Sequence, residues 1–335
     1  MTDGYLVCDM QFGSTGKGLL AGYLARRIQP DVVVAAWGPN AGHTYVDGDR
    51  KIVTTMIPIG AIVPKAMVLI GPGATINPES LLKEAQELNA LDRLRIHQNA
   101  AVVNTGHRSA EAKLNKIGST QKGTMEAAIQ KMQRDEDNNN LAINDPQLSK
   151  YCCGTEEYID WILDAKSIGV EGAQGFSLSI HHGLYPYVTS RDTTPMQIMA
   201  DCGVPLSKDL HIYGTMRTYP IRVSNRYDSE GNMVGFSGPH YGDQQEVSWE
   251  DIGVSPEFTT VTKLKRRVFT FSKAQIRLAM KYTQPHSVFL NFMNYLPAHE
   301  QESFVRSLTK LGIPISLLGY GPDDSDIRMW LEYFN

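Results

Sequence analysis

The stretch Tyr5-Leu6-Val7-Cys8-Asp9-Met10-Gln11-Phe12-Gly13-Ser14-Thr15-Gly16-Lys17-Gly18 places an apolar run directly ahead of a glycine-rich turn. Tyr5 to Cys8 reads as a strand, and the segment from Gly18 to Ile28 reads as a helix behind the turn. Glycines free the backbone to curl its N–H groups around an anion, and a helix start adds the positive end of its dipole. Lys17 supplies a cation for phosphate oxygens. The pattern points to a nucleotide phosphate. It is not a Walker loop, because Gly13 stands three residues before Gly16 rather than five.

Outward from this turn, strand-like runs alternate with helical stretches. Val32-Val33-Val34, Met67-Val68-Leu69-Ile70 and Ala101-Val102-Val103 read as strands, and Pro78 to Leu88 as a helix opened by proline. The tail returns to strand (Ser287 to Asn291), helix (near Glu300 to Leu311) and strand (Ile313 to Leu318). Alternation of this kind predicts an α/β fold with a central, mostly parallel sheet flanked by helices. Asp135-Glu136-Asp137-Asn138-Asn139-Asn140 reads as an exposed loop rather than a linker, since composition does not shift beyond it. One elaborated domain over residues 1–335 is expected. Tyr227 to Asn232 reads as a hairpin turn.

The 335 residues are 42% hydrophobic and 20% charged, as in soluble globular enzymes. A net charge of −4 argues against a general nucleic-acid binder. The four cysteines show no metal-ligand spacing, and Cys152-Cys153 are adjacent, which fits reduced thiols of the cytoplasm. No apolar stretch has membrane length.

Several other segments carry polar groups suited to a ligand. Asn40-Ala41-Gly42-His43-Thr44 follows a strand and is either a binding turn or a plain loop. Glu171-Gly172-Ala173-Gln174-Gly175 follows the strand Ile168-Gly169-Val170, and ligands of open α/β sheets gather at such carboxyl ends. Tyr185-Pro186-Tyr187-Val188-Thr189-Ser190 either binds phosphate through hydroxyls or packs a corner. Lys263-Leu264-Lys265-Arg266-Arg267 is either a solvated face or a neutralising patch for an anionic substrate. His181-His182 lack partners at ligand spacing and read as structural or solvent-facing.

Together these segments resemble the adenylosuccinate synthetase family over nearly the whole chain. The family's first loop, roughly Gln-Trp-Gly-Asp-Glu-Gly-Lys-Gly-Lys, stands here as Gln11-Phe12-Gly13-Ser14-Thr15-Gly16-Lys17-Gly18-Leu19. Its Asn-Ala-Gly-His-Thr is intact at residues 40–44, its Glu-Gly-Ala-Gln-Gly at 171–175, and its His-Gly-x-Tyr-Pro-Tyr-Val-Thr-Ser at 182–190. Its Gly-Thr-Thr-Gly-Arg-Gly corresponds to Gly118-Ser119-Thr120-Gln121-Lys122-Gly123, and its Ser-Thr-Gly-Pro-Asp to Gly319-Tyr320-Gly321-Pro322-Asp323.

The resemblance implies a ligase that moves the γ-phosphoryl of a nucleoside triphosphate to the 6-oxygen of a purine monophosphate, which the amine of aspartate then displaces. It assigns catalysis to Ser14, Lys17, His43 and Gln174. Triphosphate contacts are implied for Gly13, Ser14, Thr15, Gly16, Lys17 and Gly18, for Gly42, His43 and Thr44, and for Arg266, Asn294, Gly319, Gly321 and Pro322. Monophosphate contacts are implied for Ser14, Asn40, Ser119, Thr120, Arg134, Gln174 and Thr189, and aspartate contacts for Thr260, Val261, Thr262 and Arg266. Mg2+ is implied at Ser14 and Gly42. A homodimer is also implied, with Arg134 entering the neighbouring site, and neither nucleic acid nor membrane is a partner.

Three departures from the family bear on the substrate. Ser14 replaces the aspartate that takes the N1 proton of the base; serine is a poor base but smaller and uncharged, so it leaves room for a 2-amino group. Leu264 stands where an arginine meets the ribose 2′-hydroxyl, and an apolar wall favours deoxyribose. Phe292-Met293-Asn294 replaces Lys-Leu-Asp, and an asparagine suits adenine better than guanine as the donor base. The combination resembles the phage branch of the family, which condenses dGMP with aspartate on the route to 2,6-diaminopurine DNA. The expected reaction is dGMP plus aspartate plus ATP, in the host cytoplasm if the chain is phage-encoded. Two alternatives are an ordinary adenylosuccinate synthetase using IMP and GTP, and a phosphate-binding regulator that has lost catalysis.

Overall fold

A computed structural model describes residues 3–112, 121–259 and 264–330. Its central sheet has ten strands: β1 (Gly4–Asp9), β2 (Val32–Ala35), β3 (Met67–Ile70), β4 (Leu94–His97), β5 (Cys152–Cys153), β6 (Ile168–Glu171), β7 (Leu210–Arg217), β8 (Ser287–Asn291), β9 (Ile315–Gly319) and β10 (Ile327–Met329). Their spatial order is β10-β9-β8-β7-β1-β6-β2-β3-β4-β5, with every neighbouring pair parallel except β9 and β10. Every residue of β1, β2 and β6 is buried, which is why their sequences run apolar without alternation.

Helices cover the sheet: α1 (Lys17–Ile28), α2 (Pro78–Glu87), α3 (Thr105–Ala112), α4 (Thr124–Gln133), α5 (Thr155–Asp164), α6 (Pro195–Cys202), α7 (Lys273–Thr283) and α8 (Ala298–Thr309). Two begin as their sequences dictate. The Asn77 side chain accepts the Ser80 N–H ahead of Pro78 in α2, and the Ser272 hydroxyl accepts the Gln275 N–H in α7. One apolar core lies around β1 to β4 and β6, and a second joins β7, β8 and β9 to α7 and α8.

The mostly parallel α/β reading therefore stands, with two local differences. The run at Ala101-Val102 pairs with Thr75-Ile76 in a small separate sheet, because Cys152-Cys153 takes the place beside β4. The polar run from Asp135 is exposed, but Asn140 at its end is buried and donates to the carbonyls of Val102 and Ala127. The hairpin turn forms as expected, between Arg226–Tyr227 and Met233–Gly235.

The chain leaves β1 for β2 on one side, later inserts β6 between them, and adds β7 on the other side of β1. The carboxyl ends of β1, β6 and β7 thus converge at the point where strand order reverses, where open α/β sheets bind ligands.

Candidate functional site

At that point β1 ends in Asp9, whose enclosed carboxylate organises the glycine-rich loop. Oδ1 accepts the backbone N–H of Gln11 at 2.8 Å and of Gly13 at 3.3 Å. Oδ2 accepts the Thr15 hydroxyl at 2.5 Å and the Lys17 ammonium at 3.0 Å. Lys17 also donates to the Gln174 carbonyl at 2.7 Å, so it ties the loop after β1 to the loop after β6. An ammonium has three donors, so these two bonds leave capacity for a phosphate oxygen. Gly16 caps α1 with φ of 94°, a left-handed conformation suited to glycine. At Gly18 an added Cβ would lie 2.7 Å from the Thr44 backbone nitrogen, so only glycine lets the hairpin from His43 approach α1.

His43 opens the hairpin of His43–Asp47 and Arg50–Thr54 and is buried. Its Nδ1 lies 3.3 Å from Glu171 Oε2, and Oε1 of the same carboxylate accepts the Gly60 N–H at 2.8 Å. The Trp37 ring packs 4.4 Å from the imidazole, and Nε2, buried, has no hydrogen-bond partner among the described residues. A proton donated from Nδ1 to Glu171 leaves Nε2 able to accept one, and protonation turns Nε2 into a donor. Such an atom suits a reaction in which charge shifts on an oxygen beside it.

These groups border a cleft of about 490 Å³. Gly13, Ser14, Gly16, Lys17 and Gly18 line it from the first loop, and Asn40, Gly42, His43 and Thr44 from the next segment. Gln174, held at φ of 63°, and Thr189 line it from the β6 side. Thr124 and Met125, in the first turn of α4, face it too; the Thr124 hydroxyl is buried without a partner among the described residues. Arg266 and Leu264 form another wall, while Lys265 pairs with Glu250 at the surface and the largely buried Arg267 pairs with Glu246, so only part of the basic run faces the cleft. Burial lowers the Arg266 pKa, against the opposing charge of Glu257. Arg222 braces the cleft by donating to the carbonyls of Tyr187, Ser237 and Pro239, and burial with Arg267 nearby pushes its pKa down to about 10.

Some expected residues lie elsewhere. Thr15 turns inward to Asp9, Asn294 is exposed on the turn Met293–Tyr295, and Gly319, Gly321 and Pro322 do not line the cleft. Phe292 does line it, its ring 3.7 Å from the Arg217 guanidinium. Arg134 caps the far end of α4, exposed and away from the cleft of its own chain. Ser119, Thr120, Thr260, Val261 and Thr262 fall outside the described residues. His181 is exposed, and His182 packs against Tyr282 and Phe176. Among the described residues, no group of three or more His, Cys, Asp or Glu is arranged to hold a metal ion.

Sequence reasoning passed over Asp9, Arg217, Thr124 and the partnership of Glu171 with His43. The available signal was a charged residue closing an apolar strand, as Asp9 closes β1, Glu171 closes β6 and Arg217 closes β7.

Known proteins resemble the chain over nearly its whole length. The chain matches the family model for adenylosuccinate synthetase over residues 6–139 and 128–301. It is 45% identical to the N6-succino-2-amino-2'-deoxyadenylate synthase of Salmonella phage PMBT28, covering 98% of both chains. It is 44% identical to that of Acinetobacter phage SH-Ab 15497, covering 98% of this chain and 93% of the relative. The solved structure of the Cyanophage S-2L succinoaminodeoxyadenylate synthetase, bound to dGMP and dATP, superposes with a TM-score of 0.90 at 40% identity, covering 98% of this chain and 95% of that one. By its motifs, its fold and these matches, the chain belongs to the adenylosuccinate synthetase family.

Proposed function

We propose that this enzyme joins dGMP to L-aspartate, driven by ATP hydrolysis, to give N6-succino-2-amino-2'-deoxyadenylate for diaminopurine DNA. The carrying observation is Ser14: a short, uncharged side chain exposed in the cleft that His43 and Gln174 also line. Relatives bearing this activity match the chain over nearly its full length. The reading with IMP and GTP is not favoured.

In this reaction the O6 of guanine attacks the γ-phosphorus of ATP, ADP departs, and the N1 proton is lost. The aspartate amine then adds at C6 and inorganic phosphate leaves. Lys17 and the N–H groups of Gly16 and Gly18 hold the phosphoryl oxygens, on a loop that Gly13 helps to turn, which suits a transfer that needs positioning and positive charge. His43 Nε2 meets the transferring phosphoryl and O6, and Gln174 sits against the base. Asn40, Ser119, Thr120 and Thr189 hold the monophosphate, with Arg134 supplied by the second subunit of a homodimer. Thr260, Val261, Thr262 and Arg266 take aspartate, and Leu264 lies against the deoxyribose. The donor base extends beyond the cleft described above, to Asn294, Gly319, Gly321 and Pro322.

The Asp9 carboxylate is consumed by Lys17 and the loop, so oxygen donors for Mg2+ are the Ser14 hydroxyl and the Gly42 carbonyl, both on exposed residues. This sparse set fits Mg2+, which keeps several waters and binds chiefly through substrate phosphates. Bound there, Mg2+ would neutralise charge on the phosphates. The residues form one domain over 1–335. No helix among the described residues is long and apolar enough to cross a membrane, and we place the enzyme in the host cytoplasm.

A substrate panel read by mass spectrometry tests the proposal. Each favourable substitution is worth ~1 kcal/mol, so dGMP with ATP should outpace IMP with GTP by about 10²-fold. Faster turnover of IMP with GTP would reject the reading. Ser14→Asp should gain activity on IMP and lose it on dGMP; a gain on both purines would show that position 14 does not select the base.

A further inference from the structure

Arg217 takes no part in the steps above, yet it is fully enclosed at the end of β7 and bears several partners. Its Nη1 donates to the Ser14 carbonyl at 3.0 Å and to Glu257 Oε2 at 3.2 Å, while Nη2 donates to Glu257 Oε1. The Tyr295 hydroxyl donates to the same Glu257 oxygen at 3.0 Å. The Arg217 backbone is clipped at both groups: its N–H donates to Gln11 Oε1 at 2.9 Å, and Gln11 Nε2 donates to its carbonyl at 3.2 Å. Burial raises the Glu257 pKa, but the Arg217 charge and its hydrogen bonds outweigh burial and leave the carboxyl below its ordinary value. The pair is therefore ionic. On its other side, the Glu257 carbonyl accepts the backbone N–H of Arg266 at 2.9 Å.

An unbroken path thus runs from Ser14 through Arg217 and Glu257 to Arg266. We propose that Arg217 and Glu257 are positioning residues that couple the nucleotide loop to the aspartate-binding wall, so that aspartate binds tightly only when the Ser14 loop is seated. The inference rests on the proposed function for the role of Arg266. A planar guanidinium fork suits this task, because it fixes two partners at once. The coupling is reciprocal by thermodynamic necessity: whatever the seated loop does for aspartate, aspartate does for the loop.

The double variant Arg217→Met with Glu257→Met removes both charges and leaves no lone buried ion. Glu257→Gln keeps the shape and one acceptor, and serves if the double variant does not fold. Two measurements are made with the purine monophosphate that the wild type prefers: single-turnover ADP formation without aspartate, and steady-state KM for aspartate with kcat. The expected result is a KM for aspartate raised about tenfold, the loss of a hydrogen bond to a charged group, with ADP formation changed far less. Either of two results overturns the proposal: a KM within twofold of wild type in a folded variant, or an ADP-forming step that falls as far as the KM rises. An error in the substrate assignment shows separately, as a different preference of the wild-type enzyme.

Discussion

Glu171→Gln is expected to slow ADP formation by about 10²- to 10⁴-fold, the scale seen when an orienting carboxylate beside a catalytic histidine becomes an amide. The reason is a conflict over acceptors. Glu171 accepts from Gly60 N–H through Oε1 and faces His43 Nδ1 through Oε2. An amide offers one acceptor and one donor, so it satisfies only one of these partners. Keeping Gly60 satisfied turns an NH₂ toward Nδ1 and drives the imidazole proton onto Nε2. The amide also lacks the carboxylate charge that supports an imidazolium donating from Nε2 to O6 and the phosphoryl oxygens, so the proposed chemistry there loses its charged partner. The alternative orientation leaves the buried Gly60 N–H unpaired. Single-turnover ADP release, with His43→Asn as the comparator, checks this. A folded Glu171→Gln enzyme that keeps more than a tenth of the wild-type rate would sink the idea.

Asp9→Ala should cost about 3–5 kcal/mol of stability, because it strands the buried Lys17 ammonium. The Asp9 side chain is fully enclosed and Lys17 is 7% exposed, so water cannot take the place of the lost charge. The backbone N–H groups of Gln11 and Gly13 lose their acceptor at the same time. Adding Lys17→Met to Asp9→Ala should recover part of the loss, since the double variant contains no unpaired charge, and the cycle measures the coupling directly. Urea denaturation followed by circular dichroism gives the numbers. A loss under about 1 kcal/mol, the scale of an ordinary point substitution, would mean that the loop does not depend on this pair.

Much of this architecture was legible in the sequence because buried parallel strands leave continuous apolar runs. Tyr5 to Cys8, Met67 to Ile70 and Ser287 to Asn291 each appear where they were expected. Ala101-Val102 shows the limit: a run can be strand-like, but which edge it joins depends on Cys152-Cys153, far along the chain. The site divides in the same way. Glycine turns and the histidine segment carry local patterns, so Lys17, His43, Gln174 and Thr189 could be singled out and do share one cleft. Asp9 and Arg217 carry no such pattern. Arg217 gains its meaning from Gln11, 206 residues away, and from Glu257, 40 residues away, and no window along the chain contains them together. Phe292, at a left-handed backbone position, also brings its ring to the cleft, and no local pattern in the sequence marked it for that place.

The late insertion of β6 bears on how the protein must be made. Strand β1 is hydrogen-bonded to β6 and β7 and not to β2, its nearest successor in the main sheet. A nascent chain that has emerged only as far as α5 therefore holds a glycine-rich loop on a strand without either of its neighbours. His43 then lacks Glu171, and Lys17 lacks the Gln174 carbonyl. Such separated pairings are slow to close. Nucleotide capture is thus withheld from partial chains, and a fragment ending before residue 168 should be unable to compete with the finished enzyme for its substrates.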